Sequence, residues 1–294
     1  MQFFAALVID GALAGAVYAL IALAFVVVYK ASRMINFALG EWAMFGSRLA
    51  ATGWHVFELG LGVALVSASA GMVALAVAFN RVVLRRLVGR PLLSLIMVTI
   101  GLGALMRGIA GPTFAQVPAG IPLPFSPDPF TVHGIFIAPD RLLAAAVALG
   151  AIAVVTGFFH WSRTGVALRA IADDQQAAMA VGIDVSRHFS LTWAMVGVIS
   201  VLAGVLWSFV SGGGPSLVLI GLKVFPIVIL GGLDSIPGTI VAAIVIGVLE
   251  SLVAGYLDSS LGGGFSSVAS YVVLIAVLCV RPYGLFGRPL VERV

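Results

Sequence analysis

A few charged and amide side chains interrupt long apolar runs, and these are the residues with chemistry to perform. Asn36, Glu41 and Arg48 fall within INFALGEWAMFGSRLA, residues 35–50, and Lys223, Asp234 and Glu250 fall within a second run, residues 216–252. Ionisable groups at membrane depth are costly and turn toward a cavity, a pathway or one another. Two readings of the first run stand side by side. Either Asn36 and Glu41 face a solute pathway, or Asn36 caps a helix at the interface and Glu41 pairs with a cation such as Arg48. In the second run Lys223 reads as an interface anchor. Glu41 and Glu250 are also the carboxylates that proton or sodium coupling would use.

Bond-making chemistry has no comparable candidates. There is no G-x-x-x-x-G-K-[ST] phosphate loop, and the only lysines are Lys30 and Lys223, which excludes a nucleotidase of that kind. His55, His133, His160 and His188 are scattered without metal-ligand spacing, and Cys279 has no histidine near it in sequence. No catalytic residue, metal or cofactor is expected on this chain.

The elements that must hold these polar groups are membrane helices. The 294 residues are 61% hydrophobic and 10% charged, with a mean hydropathy of +1.17, well outside the range of soluble domains. The pattern predicts an all-α integral membrane protein, a polytopic bundle of eight or nine transmembrane helices forming a single domain over residues 1–294. Spans are expected at 3–29, 57–79, 92–110, 141–161, 188–210 and 267–280, with broken or re-entrant segments at 35–50 and 217–243. In the second of these, Pro226, Gly231, Gly232, Pro237 and Gly238 lie at or near membrane depth. Paired broken segments in opposite halves of a transporter point to its pathway. The net charge of +4 is not a nucleic-acid footprint, because its placement follows the loops. Lys30 and Arg33, then Arg81, Arg85, Arg86 and Arg90, then Arg281, Arg288 and Arg293 mark cytoplasmic ends, which puts the N-terminus outside and the C-terminus inside. Arg107 is placed to snorkel at the outer end of its span. Residues 111–140 carry prolines at 112, 118, 122, 124, 127, 129 and 139, which exclude a spanning helix and predict an external loop.

The longest polar interruption is residues 163–187, RTGVALRAIADDQQAAMAVGIDVSR, which reads as a water-exposed helix pair. Asp173 and Asp174 are expected to supply N-cap chemistry, residues 175–181 to continue as helix, and Gly182 to take the left-handed position at its end. Ala177, Ala178 and Ala180 present methyl groups where a solvated helix carries long polar side chains. A small knob of this kind suits a groove on another protein.

Three stretches resemble the membrane subunits of ABC importers for branched-chain amino acids, specifically the H-type permease. DGALAGAVYALIALAFVVVYKASRMINFALGEWAMFGS is similar to that family's Gly/Ala-rich first helix followed by I-N-F-A-x-G-E, with Leu39 where a polar residue is frequent. Residues 176–182, QAAMAVG, resemble the E-A-A-x-x-x-G coupling motif, with Gln176 in place of glutamate. Residues 231–238, GGLDSIPG, resemble the G-G-x-G-S-x-x-G turn, with Asp234 where glycine is more common. The resemblance implies a transport subunit in the bacterial inner membrane that pairs with a second permease subunit. Two ATP-binding cassette subunits would drive it, holding the ATP and magnesium, and an extracytoplasmic solute-binding protein would feed it. It implies coupling to the ATPase through Asp173, Asp174, Gln176, Ala177, Ala178 and Gly182, and a pathway near Asn36, Glu41, Gly231, Gly232, Asp234 and Pro237. Relatives also carry urea or short amides. An ion-coupled secondary transporter and a passive channel are the alternatives outside this class.

Overall fold

Inside lipid no hydrophobic effect draws helices together, so they associate where small residues let backbones approach. The computed structural model describes residues 1–87, 91–122, 130–132, 134–214, 216–261, 263–282 and 284–287. Arg90, Pro124, Pro127, Pro129, His133, Pro215, Arg288 and Arg293 lie outside the described residues. The chain forms α1 (Gln2–Ser32), α2 (Leu39–His55), α3 (Leu61–Val82) with a 3-10 turn at Leu84–Leu87, and α4 (Leu92–Thr113). A short antiparallel hairpin follows, β1 (Phe130–Val132) and β2 (Ile135–Ile137), pairing Phe130 with Ile137 and Val132 with Ile135. Then come α5 (Pro139–Trp161), α6 (Arg163–Asp173), α7 (Gln175–Ala180), α8 (Val185–Ser211), α9 (Ser216–Gly231), α10 (Ile236–Tyr256), α11 (Asp258–Leu261) and α12 (Phe265–Val280).

Among the described residues six helices, α1, α3, α4, α5, α8 and α10, are long and apolar enough to cross a membrane. The shorter α2, α9 and α12 have 17, 16 and 16 residues, or roughly 24–26 Å at the helical rise. That is less than the ~30 Å hydrocarbon layer. α1 is the central post, with 83% of its apolar window buried against 17% for α4 at the periphery. α1 packs on α10, α8 and α5, while α2 is enclosed by α8, α3, α9 and α4.

The α1–α10 contact depends on glycine. A methyl group at Gly11 would stand 2.6 Å from the Gly247 carbonyl oxygen, and one at Gly15 would stand 2.8 Å from the Ala243 carbonyl oxygen. Only hydrogen fits at either position.

Both expected interruptions are present, with different details. Residues 34–38 are irregular, and α2 begins at Leu39 rather than at 35. In the second run α9 continues straight through Pro226, and the break comes at 232–235. There Gly232 takes φ +98°, a region open to glycine but strained for other residues. α10 restarts with Pro237 in its first turn, and the Ser235 hydroxyl accepts from the Gly238 N–H at 3.1 Å. The expected loop of 111–140 is corrected at both ends: α5 begins at Pro139, and α4 runs through Pro112 to Thr113. So close to the end of the helix, proline removes one hydrogen bond and little helix remains to be disrupted.

Replacing Gly247 with leucine should lower the thermal stability of the purified protein by an amount typical of overpacking, about 1–3 kcal/mol or more. Gly62→Leu, at a site where an added Cβ meets nothing within 4 Å, is the control and should leave the melting temperature unchanged. Equal melting of the two variants would remove the α1–α10 contact from the account.

Candidate translocation and coupling sites

The polar connection between α5 and α8 is built from three capped helix starts. The Ser162 hydroxyl accepts from the Gly165 N–H at 2.8 Å and starts α6. Asp174 Oδ1 accepts from the N–H groups of Gln176 and Ala177 at 2.8 and 2.9 Å and starts α7. Asp184 Oδ1 accepts from the Arg187 N–H at 3.0 Å and starts α8. Asp174 alone caps α7, because Asp173 is the last residue of α6. At the far end of α7, Gly182 takes φ +87°. Its N–H reaches the Met179 carbonyl at 3.0 Å, and the Ile183 N–H reaches the Ala178 carbonyl at 3.0 Å. The Ala178 and Met179 carbonyls, freed by the end of the helix, thus find donors.

The module is fixed to the spans beneath it. Leu168 is fully buried, and Ile171, Ala178 and Val185 form a small apolar cluster flanked by Ile183 and Phe189. Arg33, at the end of α1, donates from Nε to the Ala172 carbonyl at 3.4 Å. Ala178 therefore turns its methyl inward, toward its own chain. The outward surface of α7 carries Gln176, Ala177 and two apolar side chains that the spacing of alanines did not single out, Met179 and Val181, 51% and 77% exposed. Their signal in the sequence was present but subtle: a methionine and a valine within a segment otherwise polar enough to be solvated.

The remaining expected residues separate into two places. Asp234 and Pro237 line a cleft of about 410 Å³ with Lys30, Arg33, Arg169 and Asp173. The GGLDSIPG turn thus sits at the same end of the bundle as α6 and α7. Gly231 and Gly232 are buried in that turn, where a methyl on Gly232 would stand 2.6 Å from the Gly287 nitrogen. Asn36 and Glu41 belong to the start of α2. Asn36 is 1% exposed; its Oδ1 accepts from the Ala38 N–H at 3.0 Å, whereas its buried Nδ2 has no partner. The next residue, Phe37, stacks on Phe225 of α9 at 4.6 Å between ring centroids. That contact lies midway along α9, so the irregular segment dips back among the helices.

Glu41 pairs with Arg107 of α4 and not with Arg48. Arg107 is accordingly held by a carboxylate instead of snorkelling alone. Arg48 donates to the Phe114 carbonyl and lies over its ring at 5.7 Å. The Glu41 side chain is 6% exposed and that of Arg107 48%, so the carboxylate faces inward and the guanidinium faces a cavity of about 580 Å³. Met44, Arg48, Arg107, Gly111, Gly214 and Val218 are among its lining residues. Lys223, read from the sequence as an interface anchor, is instead paired with Glu250 at 3.1 Å. The 223–250 and 41–107 pairings were missed because partners on separate helices leave no local spacing to find.

Among the described residues, six helices of membrane-crossing length and a polar elbow between two of them define a multi-pass membrane protein. The chain belongs to the family described as branched-chain amino acid transport system / permease component, whose model matches residues 7–280. It is 31% identical over 303 residues to the high-affinity branched-chain amino acid transport system permease protein LivH of Escherichia coli, covering 97% of this chain and 96% of that protein. Its identity to BraD of Pseudomonas aeruginosa, described in the same words, is 30% over 302 residues with the same coverage. The probable branched-chain amino acid transport permease LivH of Methanocaldococcus jannaschii is 27% identical over 289 residues, 91% of this chain and 88% of that one.

Truncating Arg107 to alanine leaves Glu41 buried without its cation, which should cost about 1–3 kcal/mol or more. The double variant E41Q/R107Q should be less destabilised than R107A, as read by thermal melting in detergent. A double variant as unstable as R107A would mean that the unpaired Glu41 carboxylate is not the source of the loss.

Proposed function

We propose that this chain is the membrane subunit of an ATP-driven importer of branched-chain amino acids, with α7 as the element through which a separate ATPase moves it. The observation that carries this reading is the construction of α7. It is short, capped at both ends, packed on its own apolar cluster and joined through α6 to α5 and directly to α8. Force applied to such an element passes to the two spans, whereas a flexible loop would absorb it. Met179, Val181, Ala177 and Gln176 offer the outward surface for the ATPase groove, with Asp173 and Asp174 beside them. Gly182 sets the exit angle of the chain.

The full-length match to relatives named as branched-chain amino acid permeases supports the cargo. It also supports the remaining partners: a second permease subunit, two ATP-binding cassette subunits holding ATP and magnesium, and an extracytoplasmic solute-binding protein. The orientation follows from charge. Ser32, Met34, Leu84, Arg85, Gly182 and Ile183 line one common cavity, so the basic ends of α1 and α3 lie at the α7 end of the bundle. By the positive-inside rule that end is cytoplasmic and the N-terminus is outside the inner membrane. The solute pathway runs along the α2–α4–α9 face, where Arg48 and Arg107 line the open cavity and Glu41 holds Arg107 in place. Both carboxylates that ion coupling would require, Glu41 and Glu250, are already engaged by cations, which favours an ATP-driven cycle.

Gly182→Trp adds both left-handed backbone strain, of order 1–3 kcal/mol, and an indole on the docking side. It should abolish ATP-dependent leucine uptake in reconstituted vesicles while leaving the chain folded in the membrane. Asp174→Ala, which removes one N-cap worth about 1 kcal/mol, should lower uptake per ATP hydrolysed more than it lowers assembly. Normal uptake by the Gly182→Trp variant would sink the coupling assignment, and uptake that persists without ATP would replace the importer reading with ion-coupled transport.

A further inference from the structure

The cavity of about 580 Å³ on the α2–α4–α9 face holds a cation that the chain does not neutralise. Arg107 is paired with Glu41, whereas among the described residues no carboxylate lies within ion-pair distance of Arg48. Arg48 donates from Nη2 to the Phe114 carbonyl and lies over that residue's ring. Both contacts hold the guanidinium in place without cancelling its charge. One of its five N–H donors is used by the carbonyl. The side chain is half-buried and lines the cavity.

The other walls supply no negative charge. Met44, Ala110, Val218 and Leu219 present apolar side chains, and Gly111 and Gly214 present only backbone. Apart from the methionine sulfur, their acceptors are carbonyls, which are neutral. A guanidinium beside apolar walls with no counter-ion is unfavourable, and an anion that enters removes that cost. The planar fork of arginine matches a carboxylate through two parallel hydrogen bonds. An ammonium group finds no equivalent partner here, because Glu41 is 6% exposed at its side chain and already held by Arg107.

The place of the cavity in the bundle fits a first station for solute. α8 leaves the α7 elbow at Val185 and ends at Ser211, shortly before Gly214; α4 ends at Thr113, and Val218 and Leu219 stand in the first turn of α9. The cavity therefore lies at the end of the bundle opposite α7. In the orientation set by the basic loops that end is extracytoplasmic.

Resting on the importer reading, we propose that Arg48 reads the carboxylate of the transported solute at the outer mouth of the pathway, while Met44, Ala110, Val218 and Leu219 receive its aliphatic body. The ammonium group of an amino acid is not read at this station. The site selects acids and rejects urea and short amides.

The test uses the full-length chain with its co-purifying subunits in nanodiscs, without a binding protein, and titrates ligands by saturation-transfer NMR. 4-Methylpentanoate should bind saturably, and the uncharged 4-methylpentanamide of the same shape about tenfold more weakly, the scale of one good hydrogen bond to a charged group. 3-Methylbutylamine should not bind. Arg48→Gln should bind acid and amide alike, and Arg48→Lys, which keeps the charge but not the fork, should restore part of the preference. Gly111→Trp puts an indole into the cavity from a site where an added Cβ meets nothing within 4 Å, and should abolish binding of both ligands at an unchanged melting temperature. Equal binding of acid and amide by the wild type, a preference that survives Arg48→Gln, or binding that survives Gly111→Trp would overturn the assignment. Leucine uptake by the same wild-type complex separates this inference from the importer reading. ATP-dependent uptake without the acid preference removes the role of Arg48 alone, and the preference without ATP-dependent uptake supports the carboxylate site while removing the importer.

Discussion

The close approach between the backbones of α1 and α10 at Gly11, Gly15 and Gly247 sets the frame for everything else. In lipid an apolar side chain is as well solvated by acyl chains as by a neighbouring helix, so packing and hydrogen bonding must supply the attraction. Two helices that touch backbone to backbone gain dispersion contacts along their whole length, and their relative depth is fixed by where the glycines fall. α8 and α5 then pack on the same central post, and the depth of the α6–α7 elbow follows from theirs.

The ionic contacts follow from this frame. Arg141 with Asp10 and Arg107 with Glu41 join helices far apart in sequence, and Lys223 with Glu250 joins the consecutive α9 and α10. Each pair lets a charge enter an apolar bundle at tolerable cost, since an unpaired one would be strongly unfavourable. They also restrict sliding: a shift of one turn in α1, α4 or α9 would separate a carboxylate from its cation. Specificity of register, more than raw stability, is the contribution such pairs make.

Much of this architecture was legible in the sequence, because the relevant signals are local. Apolar runs of span length located five of the six long helices, while the sixth expected span, 267–280, fell on the shorter α12; Gly182 and Asp174 announced the ends of α7, and the Gly/Pro cluster near 232–237 located the break before α10. The errors arose where a residue's environment is set by something distant. Pro226 looked like a breaker but lies within a helix buried against α2, where tertiary packing outweighs one lost hydrogen bond. Ala178 looked like part of a docking surface because its alanine neighbours do, yet one turn of helix separates outward from inward, and only Ile171 and Val185 decide which. Glu41, Arg107, Lys223 and Glu250 were each visible as polar groups needing partners. Which partner each would take was not legible, since that depends on how α4, α9 and α10 are arranged around α1 and α2.

The hydrogen bond from Tyr18 to Glu250 closes a separation of 232 residues, and it has a consequence for biogenesis. α1 leaves the ribosome well before α10, the helix that completes its glycine face and claims its tyrosine. Until α10 is inserted, α1 stands in the bilayer with Gly11 and Gly15 uncovered and its hydroxyl unclaimed. A truncated or stalled chain therefore presents a helix that is correctly inserted and yet visibly unfinished, a form in which a membrane protease can tell an incomplete product from a complete one.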